Sequence, residues 1–349
     1  MFFYLVRQLL LSGVRMEAEQ RKVLVGNPTY LQTNGLVRYN EEGKPAKDQL
    51  VYTIMNFPFR CNLRCLKCYR EPAKHKEDLD MDTRKRIIRE SKELGALVLG
   101  IPGEGEPFYY FDEIREVVGQ ASSLDMTTLL YSNGTLFDEE KLRFLYDNNV
   151  SLIVSCDSLN PDIFRYLTKV GDASKVREGL EMARKIYKPS IKREDGTTYT
   201  RMGLITIVSE QNMGDVAELS EFAGDDFFHI VNTLVRIGGA EDNWEKLIGN
   251  KGYNAYMEVA KQYSDTFLGG ITTPWEDGNC AAFHNGITIT TNGDVQICPA
   301  VVKKPIGNAK TMSVKEIWEK QQELVRKINF WCIARRPNLE AYLKEFIGF

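Results

Sequence analysis

Hydrophobic residues recur along this chain in two alternating patterns. Between about residues 50 and 240, short runs rich in β-branched and aromatic residues alternate with longer segments in which apolar residues return every three or four positions. The short runs predict strands and the longer segments predict helices. The predicted strands cover residues 51–56, 96–101, 127–131, 151–155, 202–208 and 228–234. The predicted helices cover residues 83–94, 111–122, 138–148, 175–187 and 213–223.

This alternation of strand and helix predicts an α/β fold. Repeated strand-helix units pack around a parallel sheet, and six such units predict a partial (β/α)6 barrel. After Gly238 and Gly239 the pattern changes to a helix over 254–263, a hairpin over 287–297 and a closing helix over 314–327. We therefore predict an N-terminal extension (1–50), the partial barrel (51–239) and a small C-terminal α+β domain (240–349).

Composition and charge narrow the class of protein. The 349 residues are 43% hydrophobic and 27% charged, which is typical of a globular enzyme and excludes a fibrous or disordered chain. The net charge of -3 is spread along the chain, so nucleic acid is not an expected partner. Seven cysteines are too few for a disulfide scaffold, and their grouping suggests ligand sets and a reducing cytoplasm.

The N-terminal segment is apolar but short. Residues 1–14 are interrupted by Arg7 and Gln8, and no signal-peptide cleavage site follows them. Because a membrane-spanning helix needs about 20 residues, we expect no stable membrane insertion. Two alternatives remain for this segment. It forms an amphipathic docking helix that contacts a membrane peripherally, or translation starts at Met16 rather than Met1.

Three cysteines follow the first predicted strand in the spacing Cys-x3-Cys-x2-Cys: Cys61, Cys65 and Cys68. Three thiolates can hold an iron-sulfur cluster while one iron stays open to a ligand. Structural zinc normally has four protein ligands, and no fourth cysteine lies nearby. The alternatives are a zinc site completed by His75 and unligated core thiols.

Polar turns follow the next three predicted strands. They are Gly-Glu-Gly-Glu-Pro at 103–107, Ser-Asn-Gly-Thr at 132–135 and Ser-Cys-Asp-Ser at 155–158. Loops at the carboxyl ends of parallel strands carry the chemistry of such folds. Glycine allows a close approach of backbone to ligand, and a carboxylate can bind an ammonium group. Each turn taken alone is equally consistent with an ordinary structural turn.

The cysteine loop followed in order by these turns resembles the radical S-adenosylmethionine (SAM) superfamily over about residues 50–240. The resemblance implies a [4Fe-4S] cluster on the three cysteines, with SAM on the open iron. The chain departs from the family pattern at Glu104, where relatives have glycine, and at Lys67, where they have an aromatic residue. A third departure is Lys169, which stands where many relatives have an arginine that binds the SAM carboxylate. The implied SAM contacts are Tyr69, Gly105, Glu106, Ser132, Asn133, Asp157 and Lys169.

A second group of cysteines surrounds the predicted C-terminal hairpin. Cys280 and Cys298 bracket it, and Cys332 follows the closing helix. This arrangement resembles the twitch or SPASM extension, and it implies one auxiliary iron-sulfur cluster whose fourth iron is open or bound by a group such as His284. The alternatives are scattered buried cysteines and a zinc site that includes His284.

The resemblance implies an enzyme that cleaves SAM reductively to methionine and a 5'-deoxyadenosyl radical. The radical takes a hydrogen atom from an unactivated carbon, and the electron comes from a flavodoxin- or ferredoxin-type partner. If the auxiliary cluster accepts an electron, the enzyme is an oxidoreductase, which we favour. If Cys156 returns a hydrogen atom, the enzyme is an epimerase.

The length of the N-terminal segment bears on the class of substrate. The 50 residues before the first strand are fewer than the separate leader-binding domain that peptide-modifying relatives often carry. We therefore expect a small polar metabolite, such as a sugar, an aminocyclitol or a nucleoside. A peptide-modifying maturase and a non-catalytic iron-sulfur or zinc protein remain the alternatives.

Overall fold

The structure is a computed structural model, and it describes residues 22–26, 50–70, 77–187, 190–192, 194, 196, 198–265, 285–297 and 305–325. Its strands are β1 (Lys22–Leu24), β2 (Tyr52–Met55), β3 (Val98–Ile101), β4 (Thr127–Ser132), β5 (Val150–Ser155), β6 (Ile191–Lys192), β7 (Thr198–Thr200), β8 (Met202–Val208), β9 (Phe228–Thr233), β10 (Gly286–Ile289), β11 (Asp294–Gln296) and β12 (Gly307–Asn308).

The α-helices in the same ranges are α1 (Met81–Glu93), α2 (Phe111–Ser123), α3 (Glu139–Asp147), α4 (Pro161–Thr168), α5 (Ala173–Tyr187), α6 (Val216–Ala223), α7 (Gly239–Asp242), α8 (Trp244–Ile248), α9 (Tyr253–Tyr263) and α10 (Val314–Val325). Two 3-10 helices cover Pro107–Tyr110 and Met213–Asp215. None of these helices has the length and apolar character needed to cross a bilayer.

The main sheet confirms the predicted partial barrel. Six parallel strands follow one another in the order β2-β3-β4-β5-β8-β9, and the predicted helices connect them. The helices begin where side chains cap them. Asp80 accepts a hydrogen bond from the Thr83 N–H before α1, and Asp138 accepts one from the Lys141 N–H before α3.

Helix α4 is absent from the sequence prediction. It is only eight residues long, so it shows little more than two turns of apolar periodicity. Its start signals are nevertheless present, because Asn160 caps the helix and Pro161 occupies its first turn. The predicted helix over 213–223 is also modified, since its first turn is the 3-10 helix Met213–Asp215.

The C-terminal hairpin joins the barrel sheet. β10 pairs in parallel with β2 from Gly286 opposite Tyr52 to Ile289 opposite Met55, and β11 and β12 continue the sheet in antiparallel pairs. β10 is therefore a seventh parallel strand, next to the strand that leads into the cysteine loop. The boundaries of the three predicted domains stay predictions, but the hairpin and the barrel share one sheet.

The two faces of the sheet pack differently. One face forms the largest apolar core with α1 to α6, and this core includes Leu99, Leu130 and Leu152. The other face is the concave interior of the partial barrel. Its lower part is filled by a second core, in which Val23 and Leu24 of β1 pack against the sheet. The N-terminal strand therefore fills the end of the barrel opposite the cysteine loop.

Candidate active site

The three closely spaced cysteines lie in one loop that leaves the carboxyl end of β2. Helix α4 supports this loop, because the N–H groups of Arg64 and Leu66 donate to the carbonyl oxygens of Thr168 and Leu167 at 3.1 and 2.8 Å. The loop thereby satisfies acceptors that the end of a helix leaves unpaired. All three cysteines are partly exposed residues, although the Cys65 thiol itself is buried within the loop.

Glycines allow two neighbouring loops to approach the cysteine loop. A Cβ at Gly105 would stand 2.6 Å from the carbonyl carbon of Phe59 and closer still to the carbonyl oxygen of Arg60. At Gly238, φ is 52° and a Cβ would stand 2.7 Å from the carbonyl oxygen of Cys68. Larger side chains at either position would displace this backbone. Gly105, predicted to contact SAM, thus also packs directly on the cysteine loop.

Glu106 joins the turns after β3 and β4. Its buried carboxylate accepts hydrogen bonds from the Phe108 N–H (3.1 Å) and the Ser132 hydroxyl (2.7 Å) at Oε1, and from the Asn133 N–H (2.7 Å) at Oε2. Burial raises the pKa of this carboxyl to about 7, although the three hydrogen bonds act in the opposite direction. The predicted contact of Glu106 with the SAM ammonium stays a prediction. In this structure the carboxylate fixes the two turns to each other.

Asn133 links the second turn to the cysteine loop. Its Nδ2 donates to Asn62 Oδ1 at 2.9 Å and lies 3.7 Å from Cys61 Sγ. Asn62 Nδ2 donates to Thr135 Oγ1 at 2.8 Å, and the Leu63 N–H lies 3.4 Å from Cys61 Sγ. Hydrogen bonds to a cysteine sulfur tune the potential of an iron-sulfur cluster. Two such donors therefore surround the first cysteine of the loop.

Asp157 is paired with a lysine of the cysteine loop. Lys67 Nζ contacts Asp157 Oδ1, and the same oxygen accepts a hydrogen bond from the Ile207 N–H at 2.9 Å. Asn212 Nδ2 donates to the carbonyl oxygen of Asp157 at 2.8 Å. Burial raises the pKa of the Cys65 thiol to about 12, and the positive charge of Lys67 acts in the opposite direction. The lysine at the family's aromatic position thus connects the loop to the end of β5.

Tyr69 and Glu104 lie where the cysteine loop faces the C-terminal hairpin. The Tyr69 hydroxyl donates to the carbonyl oxygen of Gly103 and lies 3.5 Å from Asn56 Oδ1. Burial raises the pKa of Tyr69, and the charge of Glu104 adds to this effect. Glu104 accepts a hydrogen bond from Thr291 Oγ1 in the hairpin turn at 3.4 Å. Burial raises the pKa of the Glu104 carboxyl to about 7.

Two predicted site residues lie apart from this polar network. Lys169 is exposed, and its Nζ lies 5.3 Å from the centroid of the Tyr166 ring. Cys156 is fully buried in the core on the helix-facing side of the sheet, with its thiol 3.4 Å from the carbonyl oxygen of Ser158. Burial raises the pKa of Cys156 to about 12. A hydrogen donor must reach the substrate, so this placement does not support the donor role predicted for Cys156.

Several residues that hold the site together were not identified from the sequence. Asn56 follows β2 directly, Asn62 follows the first cysteine of the loop, and Asn212 lies four residues after β8. All three carry amides that bond to neighbouring loops. An amide residue close after the carboxyl end of a parallel strand is the signal that could have identified Asn56 and Asn212.

The second cysteine group lies outside the described residues, as do both candidate histidine ligands: Cys280, Cys298, Cys332, His284 and His75. In the described part of the chain, no three His, Cys, Asp or Glu side chains converge as the ligands of a single metal ion do. An iron-sulfur cluster does not need that convergence, because each thiolate binds a different iron. The three thiols and the two N–H donors beside Cys61 fit such a cluster.

Comparison with protein families identifies the chain. The model of the radical SAM superfamily matches residues 55–223, which contain the cysteine loop and the three turns. The model of the iron-sulfur cluster-binding SPASM domain matches residues 280–340, which contain the second cysteine group. The chain therefore carries a radical SAM domain followed by a SPASM domain. The cofactors of this radical SAM enzyme are a [4Fe-4S] cluster, SAM and auxiliary iron-sulfur centres of a SPASM-like domain.

Curated relatives of this radical SAM enzyme differ in their named activities. It is 33% identical over 137 residues to GTP 3',8-cyclase of Syntrophomonas wolfei, a match that covers 37% of this chain and 41% of that one. It is 28% identical over 177 residues to the tungsten-containing aldehyde ferredoxin oxidoreductase cofactor-modifying protein of Pyrococcus furiosus, covering 49% and 47%. The chain therefore spans less than half the length of these two relatives.

Solved structures of similar fold include two peptide-bound proteins. SuiB of Streptococcus suis bound to precursor peptide SuiA has a TM-score of 0.59 and 16% identity, and the match covers 80% of this chain and 67% of SuiB. Native anSMEcpe with bound AdoMet and a peptide has a TM-score of 0.58 and 16% identity, covering 85% and 87%. At this identity the likeness establishes the fold alone.

The cysteine loop would supply the ligands of the [4Fe-4S] cluster, the first of these cofactors. When bound, the cluster supplies an electron to SAM, which is the source of the radical chemistry of the superfamily. The residues that would hold the cluster are Cys61, Cys65 and Cys68. The turns tied together by Glu106 and Asn133 lie beside this loop, and their predicted contacts with SAM stay predictions.

Proposed function

We propose that this radical SAM enzyme oxidises a small polar metabolite, such as a sugar, an aminocyclitol or a nucleoside. The 5'-deoxyadenosyl radical takes a hydrogen atom from a hydroxyl-bearing carbon. The substrate radical then loses a proton and passes one electron to an auxiliary cluster, so the alcohol becomes a carbonyl. A flavodoxin- or ferredoxin-type protein supplies the separate electron that cleaves SAM.

The observation that carries this proposal is the attachment of the hairpin to the barrel. β10 lies in register beside β2, and the Asn56 N–H donates to the carbonyl oxygen of Ile289 at 2.8 Å. The hairpin turn also contacts the loop after β3 through Thr291 and Glu104. The hairpin turn is thus fixed at the carboxyl edge of the barrel, and β11 runs back from it along the same sheet towards the predicted auxiliary ligand Cys298. This shared sheet ties the hairpin to the barrel, which favours an electron acceptor held on the barrel rather than on a separate domain.

The epimerase alternative has no support from the position of Cys156. Its thiol is buried on the helix-facing side of β5, whereas Ser155 and Asp157 alternate with it towards the interior. The peptide-modifying alternative rests on a likeness of fold alone. A curated relative named as a GTP 3',8-cyclase acts on a nucleotide, which is consistent with a nucleoside among the candidate substrates.

The test is anaerobic turnover of the reconstituted enzyme with deuterated candidate metabolites. We expect deuterium in 5'-deoxyadenosine and one carbonyl product for each hydrogen abstracted. In the Cys280→Ala and Cys298→Ala variants, deuterium transfer should persist while carbonyl product falls. The matched control is Cys156→Ala, which should keep the product yield. An epimerised product that disappears in Cys156→Ala would contradict the proposal.

A further inference from the structure

The interior of the partial barrel is open to solvent at the end that carries the cysteine loop. Alternate residues of each strand face this interior, since the intervening residues pack against the helices. In β2, β4, β5 and β8, the interior-facing residues nearest the carboxyl ends are only partly buried, while their neighbours on the strand are almost all buried. These residues are Ile54, Tyr131, Ser155, Ile205 and Ile207.

The floor of this open space is apolar. Ile54, Tyr131 and Ile205 pack from above on the second core, which contains Ile153, Ile230 and the N-terminal strand β1. The Tyr131 ring therefore rests on apolar side chains. Its hydroxyl makes no hydrogen bond with any residue of the described chain. Burial raises the pKa of Tyr131 to about 12, so the phenol is a neutral donor near neutral pH.

Asn232 supplies a second unpaired polar group on the opposite side of the interior. It lies on β9 in register with Ile207 and alternates with the interior-facing Phe228 and Ile230. The side chain is 7% exposed, and its Oδ1 has no hydrogen-bond partner in the described structure. A buried polar atom without a partner costs about 1–3 kcal/mol, so such atoms call for an explanation. A ligand hydroxyl that donates to Oδ1 would provide one.

No interior-facing residue of β2 to β5, β8 or β9 carries a charge. At the carboxyl edge, the cation Lys67 is already paired with Asp157. An ionised phosphate or carboxylate would therefore enter this interior without a counter-charge, at a cost of several kcal/mol. A neutral hydroxyl group carries no such cost and can pair with uncharged polar groups of the interior, which include the Tyr131 phenol, the Asn232 amide and the Ser155 hydroxyl. The interior thus discriminates by charge.

We infer that Tyr131 and Asn232 form the recognition site for the reacting part of the substrate, which is an uncharged, hydroxyl-bearing group. This inference rests on the proposed function and narrows its substrate class to unphosphorylated polyols, sugars or nucleosides. The Tyr131 hydroxyl donates to one substrate oxygen, and Asn232 Oδ1 accepts from a substrate hydroxyl. Both residues bind the substrate and take no part in the radical step.

The test compares deuterated neutral probes with their monophosphates: myo-inositol, D-glucose and guanosine. Deuterium in 5'-deoxyadenosine measures hydrogen abstraction by the reconstituted holoenzyme. We expect transfer from at least one neutral probe and at least about tenfold lower kcat/KM for its monophosphate. Tyr131→Phe and Asn232→Leu should each raise KM for the neutral probe about tenfold.

Matched controls separate binding from folding. Tyr187→Phe removes another buried hydroxyl without a partner, but one on helix α5 outside the interior, so KM should not change. Asn232→Leu should unfold at equal or higher denaturant concentration than the wild type, because it removes an unpaired buried amide. A site that is merely structural would show lower stability and an unchanged KM.

The outcomes distinguish this inference from the proposed function. Monophosphates that react as well as the neutral probes, or variants with wild-type KM, overturn the inference and leave the proposed function standing. Deuterium transfer without a carbonyl product overturns the proposed function. If 5'-deoxyadenosine forms but none of the probes transfers deuterium, the inference and the proposed function are both refuted for these substrates.

Discussion

Substitution of Gly105 by alanine should disrupt the cysteine loop from outside. The new Cβ would stand 2.6 Å from the carbonyl carbon of Phe59 and nearer still to the carbonyl oxygen of Arg60, whereas ordinary contacts are at least 3.4 Å. Both neighbours are backbone atoms, so the loop must move by about 1 Å. Forcing extra volume into a packed site costs about 1–3 kcal/mol.

The displacement also acts on a hydrogen bond. The Glu106 N–H donates to the carbonyl oxygen of Arg60 at 2.8 Å, next to Cys61, and its loss adds about 1 kcal/mol. We therefore expect Gly105→Ala to lower the free energy of unfolding by about 2–4 kcal/mol. Iron bound at the first cluster should fall as well, because Cys61 moves with Arg60.

The matched control is Gly119→Ala. Gly119 lies within helix α2, and nothing stands within 4 Å of a Cβ built there. Alanine should stabilise the protein by about 0.5–1 kcal/mol at this position, because glycine is a poor helix former.

Urea unfolding measures the stability of both variants. Iron and sulfide analysis in a background with Cys280, Cys298 and Cys332 replaced by alanine measures the first cluster alone. If Gly105→Ala binds as much iron as the wild type and unfolds at the same urea concentration, the close packing deduced from the structure is refuted.

Three further substitutions test other parts of the site. Lys67→Met should lower the free energy of unfolding by about 3–5 kcal/mol, because it leaves Asp157 buried without its cation. The double variant Lys67→Met with Asp157→Asn should recover part of that loss. If urea unfolding shows that the effects of the two substitutions simply add, the pairing is contradicted. The carboxyl of Glu106 has a pKa of about 7 in the folded protein, against an ordinary value of 4.5. Between pH 4.5 and pH 7 the folded state therefore binds a proton at Glu106 that the unfolded state has lost. The free energy of unfolding should fall by up to about 3 kcal/mol as the pH rises across this interval. Glu106→Gln should flatten that part of the pH profile, and an unchanged slope would refute the assignment. Cys156→Ala should lower the free energy of unfolding by about 1 kcal/mol or more, because the thiol is fully buried, and it should leave the rate of deuterium transfer unchanged. Loss of product in this variant would instead indicate that Cys156 takes part in the reaction.

Much of the fold follows from local patterns in the sequence. The strand β8 has the predicted bounds, and the other five predicted strands differ from the structure by at most two residues at either end. Those strands are short apolar runs bounded by turns and amphipathic helices, so each signal lies within a few adjacent residues. The cysteine spacing and the three turns are equally local. Their order along the chain predicted the family that the comparisons identify.

The side of the sheet on which each residue lies could not be predicted. Cys156 and Asp157 are adjacent residues that directly follow β5, and both faces of this parallel sheet are covered by apolar side chains. In such a sheet both faces are apolar, so a period of two residues does not reveal which face meets the helices. Only the packing of β5 between its neighbours directs Asp157 towards Lys67 and Cys156 into the core.

The sequence by itself therefore determined the cysteine loop, its cofactor class and the six strand-helix units. Tertiary structure alone decided that β10 pairs with β2, that β1 fills the lower interior, and that Tyr131 and Asn232 face the same open space. The reason is the distance along the chain. Helix and strand periodicity arise from neighbouring residues, whereas β2 and β10 lie more than 200 residues apart and Tyr131 and Asn232 lie about 100 residues apart. Their relative positions depend on how the whole sheet packs.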